Sequence, residues 1–162
     1  MDRVGERAFP AILDEQASFY HDRTFLVHED LQGVVTTLSF REVREKALRY
    51  AAAFQTAGVK KGRRVFALLG NTADFVPLWF GVMVAGGVFA PGNIYLTAPE
   101  IGHLIELTEP TLILAESRFL PLVEAAVAAT GKSIPLISAD GGSDAASLAN
   151  LVARAPDFVP VA

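Results

Sequence analysis

The octapeptide Ala-Val-Ala-Ala-Thr-Gly-Lys-Ser, residues 126–133, fits the loose form of a phosphate-binding loop, a small residue followed after four positions by Gly-Lys-Ser. Such a loop binds phosphate only when it leaves a buried strand and opens a helix, so that backbone N–H groups and the helix dipole converge on the anion. Here the order is inverted. Residues 119–129 read as a helix and residues 133–138 as a short buried strand, with Gly131 as a left-handed helix cap. Position 126 is also Ala, where close backbone approach to a ligand wants Gly. The motif therefore carries no nucleotide chemistry.

The other reactive residue types are equally dispersed. His21, His28 and His103 stand far apart, with no carboxylate or second histidine at metal-ligand spacing, and read as surface or hairpin residues. No serine sits in a Gly-x-Ser-x-Gly elbow. Glu29, Asp30, Asp140 and Asp144 all fall in expected turns and form no acid–base pair. Lys60-Lys61-Gly62-Arg63-Arg64 is the one basic cluster, and it reads as a solvated turn after a helix, where cations complement the dipole.

Composition narrows the function further. The chain has 162 residues, 51% of them hydrophobic, with a mean hydropathy of +0.35, enough to bury a core of about one domain. A net charge of -4 argues against nucleic acid as a partner, because phosphate backbones need a basic field. The absence of cysteine removes disulfides, thiolate nucleophiles and zinc–thiolate sites, and is compatible with a cytoplasmic location. Scattered charges near Met1 argue against an export signal. Residues 75–92 carry no charge, but Gly86, Gly87 and Pro91 divide them into a helix and a strand of globular length, so no membrane span is expected.

The elements that must position any site follow from periodicity and caps. A first helix is expected over Phe9–Tyr20, then a hairpin of strands 24–28 and 34–39 with Gly33 in its turn. Ser39 and Glu42 form a capping box that opens a helix ending at Gly58. The stretch 63–69, continuously apolar beyond its two arginines, reads as a strand covered on both faces. Asn71 or Thr72 is expected to cap the next helix, which carries Trp79 and Phe80, and residues 88–91 form a short strand. Thr97 and Glu100 make a second capping box, followed by a strand over 111–115, the helix and strand already named, a polar turn over 139–144, and a last short helix over 147–154. The fold class is α/β: an N-terminal β-hairpin followed by a mostly parallel sheet with helices on both faces. No Gly-x-Gly-x-x-Gly follows any strand, so a dinucleotide fold lacks its fingerprint. The tail 155–162, with two prolines and no cap, reads as a connection cut short.

Three stretches, Leu38–Val43, Ala57–Gly81 and Val82–Ile101, resemble the opening of the AMP-forming adenylating enzymes, the family of acyl-CoA synthetases, luciferases and peptide-synthetase adenylation domains. The matching motifs are the Leu-Ser-Phe-x-Glu helix start, a Gly-x-Arg-Val strand, Asn71-x-x-x-Phe75, and the turn running from Ala85-Gly86 through Pro91 to Asn93. Arg63 stands where the family usually has Asp. The resemblance implies that residues 1–162 are the N-terminal portion of an adenylate-forming domain, its first subdomain, ending before the phosphate loop. It implies a parent enzyme that uses ATP, Mg²⁺ and coenzyme A. A small carboxylic acid attacks the α-phosphate of ATP, pyrophosphate leaves, and the coenzyme A thiol then displaces AMP from the acyl-adenylate. The family's Gly-rich loop ending in Pro-Lys-Gly, its ribose-binding Asp and its C-terminal Lys have no counterpart in this sequence, so the segment alone is expected to be inactive, with no catalytic residue of its own. Arg118, just past the strand at 111–115, corresponds to basic residues that contact a coenzyme A phosphate in related ligases. The expected partner is the remainder of the same polypeptide, with self-association where its contact surface is left open. The alternative is a stand-alone binding module that keeps only the scaffold.

Overall fold

The computed structural model describes residues 8–141 and 146–158. Helix α1 (Phe9–Tyr20) leads into the antiparallel hairpin of β1 (Thr24–Glu29) and β2 (Val35–Ser39). Helix α2 (Phe40–Thr56) and strand β3 (Arg64–Leu68) follow, then α3 (Phe75–Val84), β4 (Val88–Pro91), α4 (Ala98–Thr108) and β5 (Leu112–Ala115). A 3-10 turn at Ser117–Phe119 precedes α5 (Leu120–Thr130), β6 (Leu136–Ser138) and α6 (Leu148–Arg154). Strands β3 to β6 form one parallel sheet in the order β4-β3-β5-β6.

Alternation along the strands divides the core into two layers. Val65 and Ala67 of β3, with Leu112 and Leu114 of β5, join the apolar cluster of α2 and α3. Phe66 and Leu68, with Ile113 and Ala115, join that of α4 and α5. A strand feeding both layers must be apolar along its buried length, which is why 65–68, after Arg64 at the strand's edge, reads as an unbroken run. The uncharged stretch 75–92 resolves into α3 and β4, and no helix among the described residues is long and apolar enough to cross a membrane.

Local signals set most helix ends. The Ser39 hydroxyl accepts the Glu42 N–H at 3.2 Å, and Glu42 Oε2 accepts the Ser39 N–H at 2.8 Å. At the start of α4, Glu100 Oε2 accepts the Thr97 N–H at 2.8 Å. The Ser39 backbone N–H, then its hydroxyl, hold the Glu42 carboxyl below the ordinary value of 4.5. A depressed folded value means that the box stabilises α2 at neutral pH and loses that contribution as pH falls through the folded value. Ser39→Ala is expected to cost about 1 kcal/mol in urea unfolding at neutral pH. The gap in unfolding midpoint between wild type and Glu42→Gln should shrink between about pH 7 and about pH 3.

Several boundaries differ from the sequence reading. Neither Asn71 nor Thr72 caps α3: the helix begins at Phe75 behind Asp74, which supplies no side-chain cap. The intervening residues turn instead, with Phe75 N–H donating to the Thr72 carbonyl at 3.1 Å, while the Asp74 carboxylate is drawn away to Lys46 Nζ at 2.7 Å. The 3-10 turn takes Phe119 out of α5, which starts at Leu120. Strand β6 begins only at Leu136, although the ladder to β5 already starts at the Pro135 carbonyl, which accepts the Ile113 N–H at 2.9 Å.

Candidate functional site

In a parallel sheet of order β4-β3-β5-β6 the chain moves outward in one direction from β3 to β4, then crosses back to β5 and continues in the other. The connections leaving β3 and β5 therefore diverge, opening a crevice at the carboxyl ends of these two strands, where open α/β sheets bind ligands. The residues placed there are Gly70, beyond β3, and Glu116, Ser117 and Arg118, beyond β5.

Glu116 is almost enclosed, with 9% of its side chain exposed, and its carboxylate bridges the two strand ends. Oε1 accepts the Gly70 N–H, and Oε2 accepts the Nε–H of Arg118 at 2.7 Å. The Arg118 guanidinium lies over the Phe119 ring, 4.5 Å from its centroid, yet 57% of the side chain is exposed. One step along the sheet, Asp140 Oδ1 accepts the Ser117 N–H at 2.6 Å and the Ser117 hydroxyl at 2.8 Å, tying the end of β5 to the turn after β6. The Ser138 hydroxyl lies 2.8 Å from that of Ser117 and accepts the Gly141 N–H at 2.7 Å. Burial pushes the Asp140 carboxyl up, but the N–H and hydroxyl of Ser117, its own backbone N–H and the Ser138 hydroxyl together outweigh it and hold the group below the ordinary carboxylate value. A charged Asp140 that accepts several hydrogen bonds locks a turn; it has no nucleophile–base geometry.

Of the residues weighed from the sequence, Arg118 reaches the crevice and Asp140 lies beside it. Asp144 lies outside the described residues. Glu29 is not in a turn, as the sequence reading has it, but closes β1 by pairing with Val35, because the hairpin ladder extends one residue further. Asp30 is a turn residue whose Oδ1 accepts the Gln32 and Val34 N–H groups at 2.9 and 2.8 Å. His21 caps α1, His28 Nε2 donates to the Asn71 carbonyl at 2.8 Å, and His103 lies on the outer face of α4. Among the described residues no three His, Asp or Glu side chains gather where a metal could sit. In the basic turn, Arg64 Nη2 faces Glu109 Oε2 at 3.5 Å, so this cation points to a carboxylate of its own fold. Gly131 caps α5 with φ of 66°, which puts Gly-Lys-Ser at the carboxyl end of a helix, where the dipole repels phosphate. The residues that sequence reasoning passed over are Glu116 and Gly70; they are 46 positions apart, and no local pattern joins them.

The chain matches the AMP-binding enzyme family over residues 13–158, nearly its whole length. It belongs to the AMP-binding enzyme family. Among curated relatives, the crotonobetaine/carnitine–CoA ligases of Salmonella paratyphi A and Salmonella typhimurium are each 30% identical over 122 residues, 75% of this chain. That alignment covers 24% of the relatives, so the chain spans about a quarter of their length. Solved structures share the fold. The luciferase-like enzyme of the mealworm Zophobas morio superposes with a TM-score of 0.87 at 21% identity, covering 100% of this chain and 39% of that one. A benzoate CoA ligase from Burkholderia xenovorans gives 0.78 at 22% identity, covering 96% and 30% respectively.

Proposed function

We propose that this chain is the N-terminal part of an AMP-forming carboxylic acid–CoA ligase, with residues 1–162 preceding the phosphate loop of the adenylate-forming domain. The observation that carries this reading is the similarity to CoA ligases of about three times the chain's length. In the whole enzyme a carboxylate oxygen attacks the α-phosphate of ATP, pyrophosphate leaves, and the coenzyme A thiol displaces AMP to form the thioester. Mg²⁺ would neutralise charge on the phosphates. The carboxylates described here do not converge on a metal, so no step of that chemistry is assigned to them. This segment supplies scaffold and, through Arg118, a contact to a phosphate of coenzyme A. The rest of the polypeptide would cover parts of this surface. The same surface would give self-association when uncovered.

Two measurements test the proposal. The coding sequence beyond codon 162 should continue in frame into a Ser/Thr/Gly-rich loop ending in Pro-Lys-Gly. The 162-residue chain should show no carboxylate-dependent exchange of pyrophosphate into ATP. Exchange above background would overturn the assignment of catalysis to the remainder, and a stop codon after Ala162 would leave a binding module in place of a ligase segment.

A further inference from the structure

Among the described residues, Glu116 is a charged group at the β3/β5 crevice to which the proposed ligase chemistry gives no role. A carboxylate this enclosed is costly unless partnered. Its two oxygens take partners from both strand ends, the Gly70 N–H and the Arg118 Nε–H. Arg118 is restrained in other ways as well. Phe119 supports the face of its guanidinium, and Nη2 lies over Gly70, where an added Cβ would come within 2.6 Å of it. The same Cβ would lie 2.9 Å from Glu116 Oε1. A half-exposed arginine ordinarily samples many rotamers; here one donor edge, the ring face and the approach of one terminal nitrogen are all set. A planar fork held in this way suits a phosphate better than a free one, because less side-chain freedom is lost when its hydrogen bonds form.

We propose that Glu116 and Gly70 act as a positioning pair that aims the Arg118 fork at a phosphomonoester bound at the β3/β5 crevice. The inference rests on the reading of Arg118 as a coenzyme A phosphate contact and adds what orients it. Two effects of opposite sign meet at Glu116. Its negative charge opposes an incoming phosphate, whereas its hydrogen bond orders the guanidinium. Positioning requires the second to win, so loss of the charge must weaken phosphate recognition rather than strengthen it.

The test is calorimetric titration of the full chain with coenzyme A and with its 3'-dephospho form. Wild type is expected to prefer coenzyme A by about tenfold or more, as for a hydrogen bond between charged groups, and Arg118→Ala to erase the preference. Glu116→Gln, nearly isosteric, should lower the preference by at least about threefold. It should also remove the protected Arg118 Nε–H resonance from the NMR spectrum while the backbone amide spectrum is preserved. If Glu116→Gln keeps or raises the preference while Arg118→Ala abolishes it, Glu116 is only a counter-charge: the positioning proposal fails and the Arg118 contact stands. If wild type does not distinguish the two ligands, the Arg118 reading fails and this proposal falls with it.

Discussion

Phe66→Ala is expected to lower the unfolding free energy by about 3–5 kcal/mol, the usual cost of removing a buried aromatic ring. Phe66 is 1% exposed in β3, a strand with neighbours on both sides, paired to Ala90 of β4 and Ile113 of β5. Its ring lies in the layer that α4 and α5 cover, and it also fills the space above Gly92, where a Cβ would sit 2.7 Å from the ring. A site bounded by two strands, two helices and a close backbone cannot collapse easily, so most of the cavity term should persist. Domains are stable by only about 5–15 kcal/mol, so this one change removes a large part of the whole. Urea unfolding of Phe66→Ala and Phe66→Leu checks it. The leucine variant should lose less than the alanine variant, and an alanine cost under about 1 kcal/mol would show that this layer is loosely packed.

Gly81→Val should be the second large effect, acting on the opposite layer. Helices α2 and α3 meet along a seam of small residues, Ala47 and Ala51 on one side and Gly81 on the other. A Cβ on Gly81 would stand 2.6 Å from the Tyr50 Cβ and 3.2 Å from the Ala47 carbonyl oxygen. These are atoms of a helix backbone and its first side-chain carbon, not the flexible end of a chain, so α3 itself must move. Overpacking of this kind costs about 1–3 kcal/mol or more. Gly81→Ala separates the two contributions, since alanine gains about 1 kcal/mol of helix propensity. If the seam is tight, the alanine variant is still destabilised and the valine variant more so. An alanine variant as stable as wild type in urea would show that the helices slide apart freely.

Much of the architecture was legible in the chain because its signals are local. Ser39 with Glu42, and Thr97 with Glu100, announce helix starts through bonds that close over three residues. The unbroken apolar run at 65–68, within the stretch 63–69, announces a strand covered on two faces. Gly131 turns a phosphate-loop lookalike into a helix cap within one residue, and the structure places it there with positive φ. The start of α3 was misread for the same reason. Asn71 and Thr72 are good caps by type, but Asp74 is held by Lys46 of α2, 28 positions earlier, and a local rule cannot see that contact.

The sequence by itself determined the elements, their alternation, the dispersal of its reactive groups and, through ordered motifs, the resemblance to adenylating enzymes. The tertiary structure alone decided where the candidate site lies. Strand order β4-β3-β5-β6 puts the crevice between β3 and β5, and that order depends on which faces the crossing helices cover. Only then do Gly70 and Glu116, or Ser117 and Asp140 at 23 positions' separation, come within hydrogen-bonding distance. Caps and periodicity are written in residues three or four apart, whereas a crevice at strand ends is made of residues that meet only after the helices have packed.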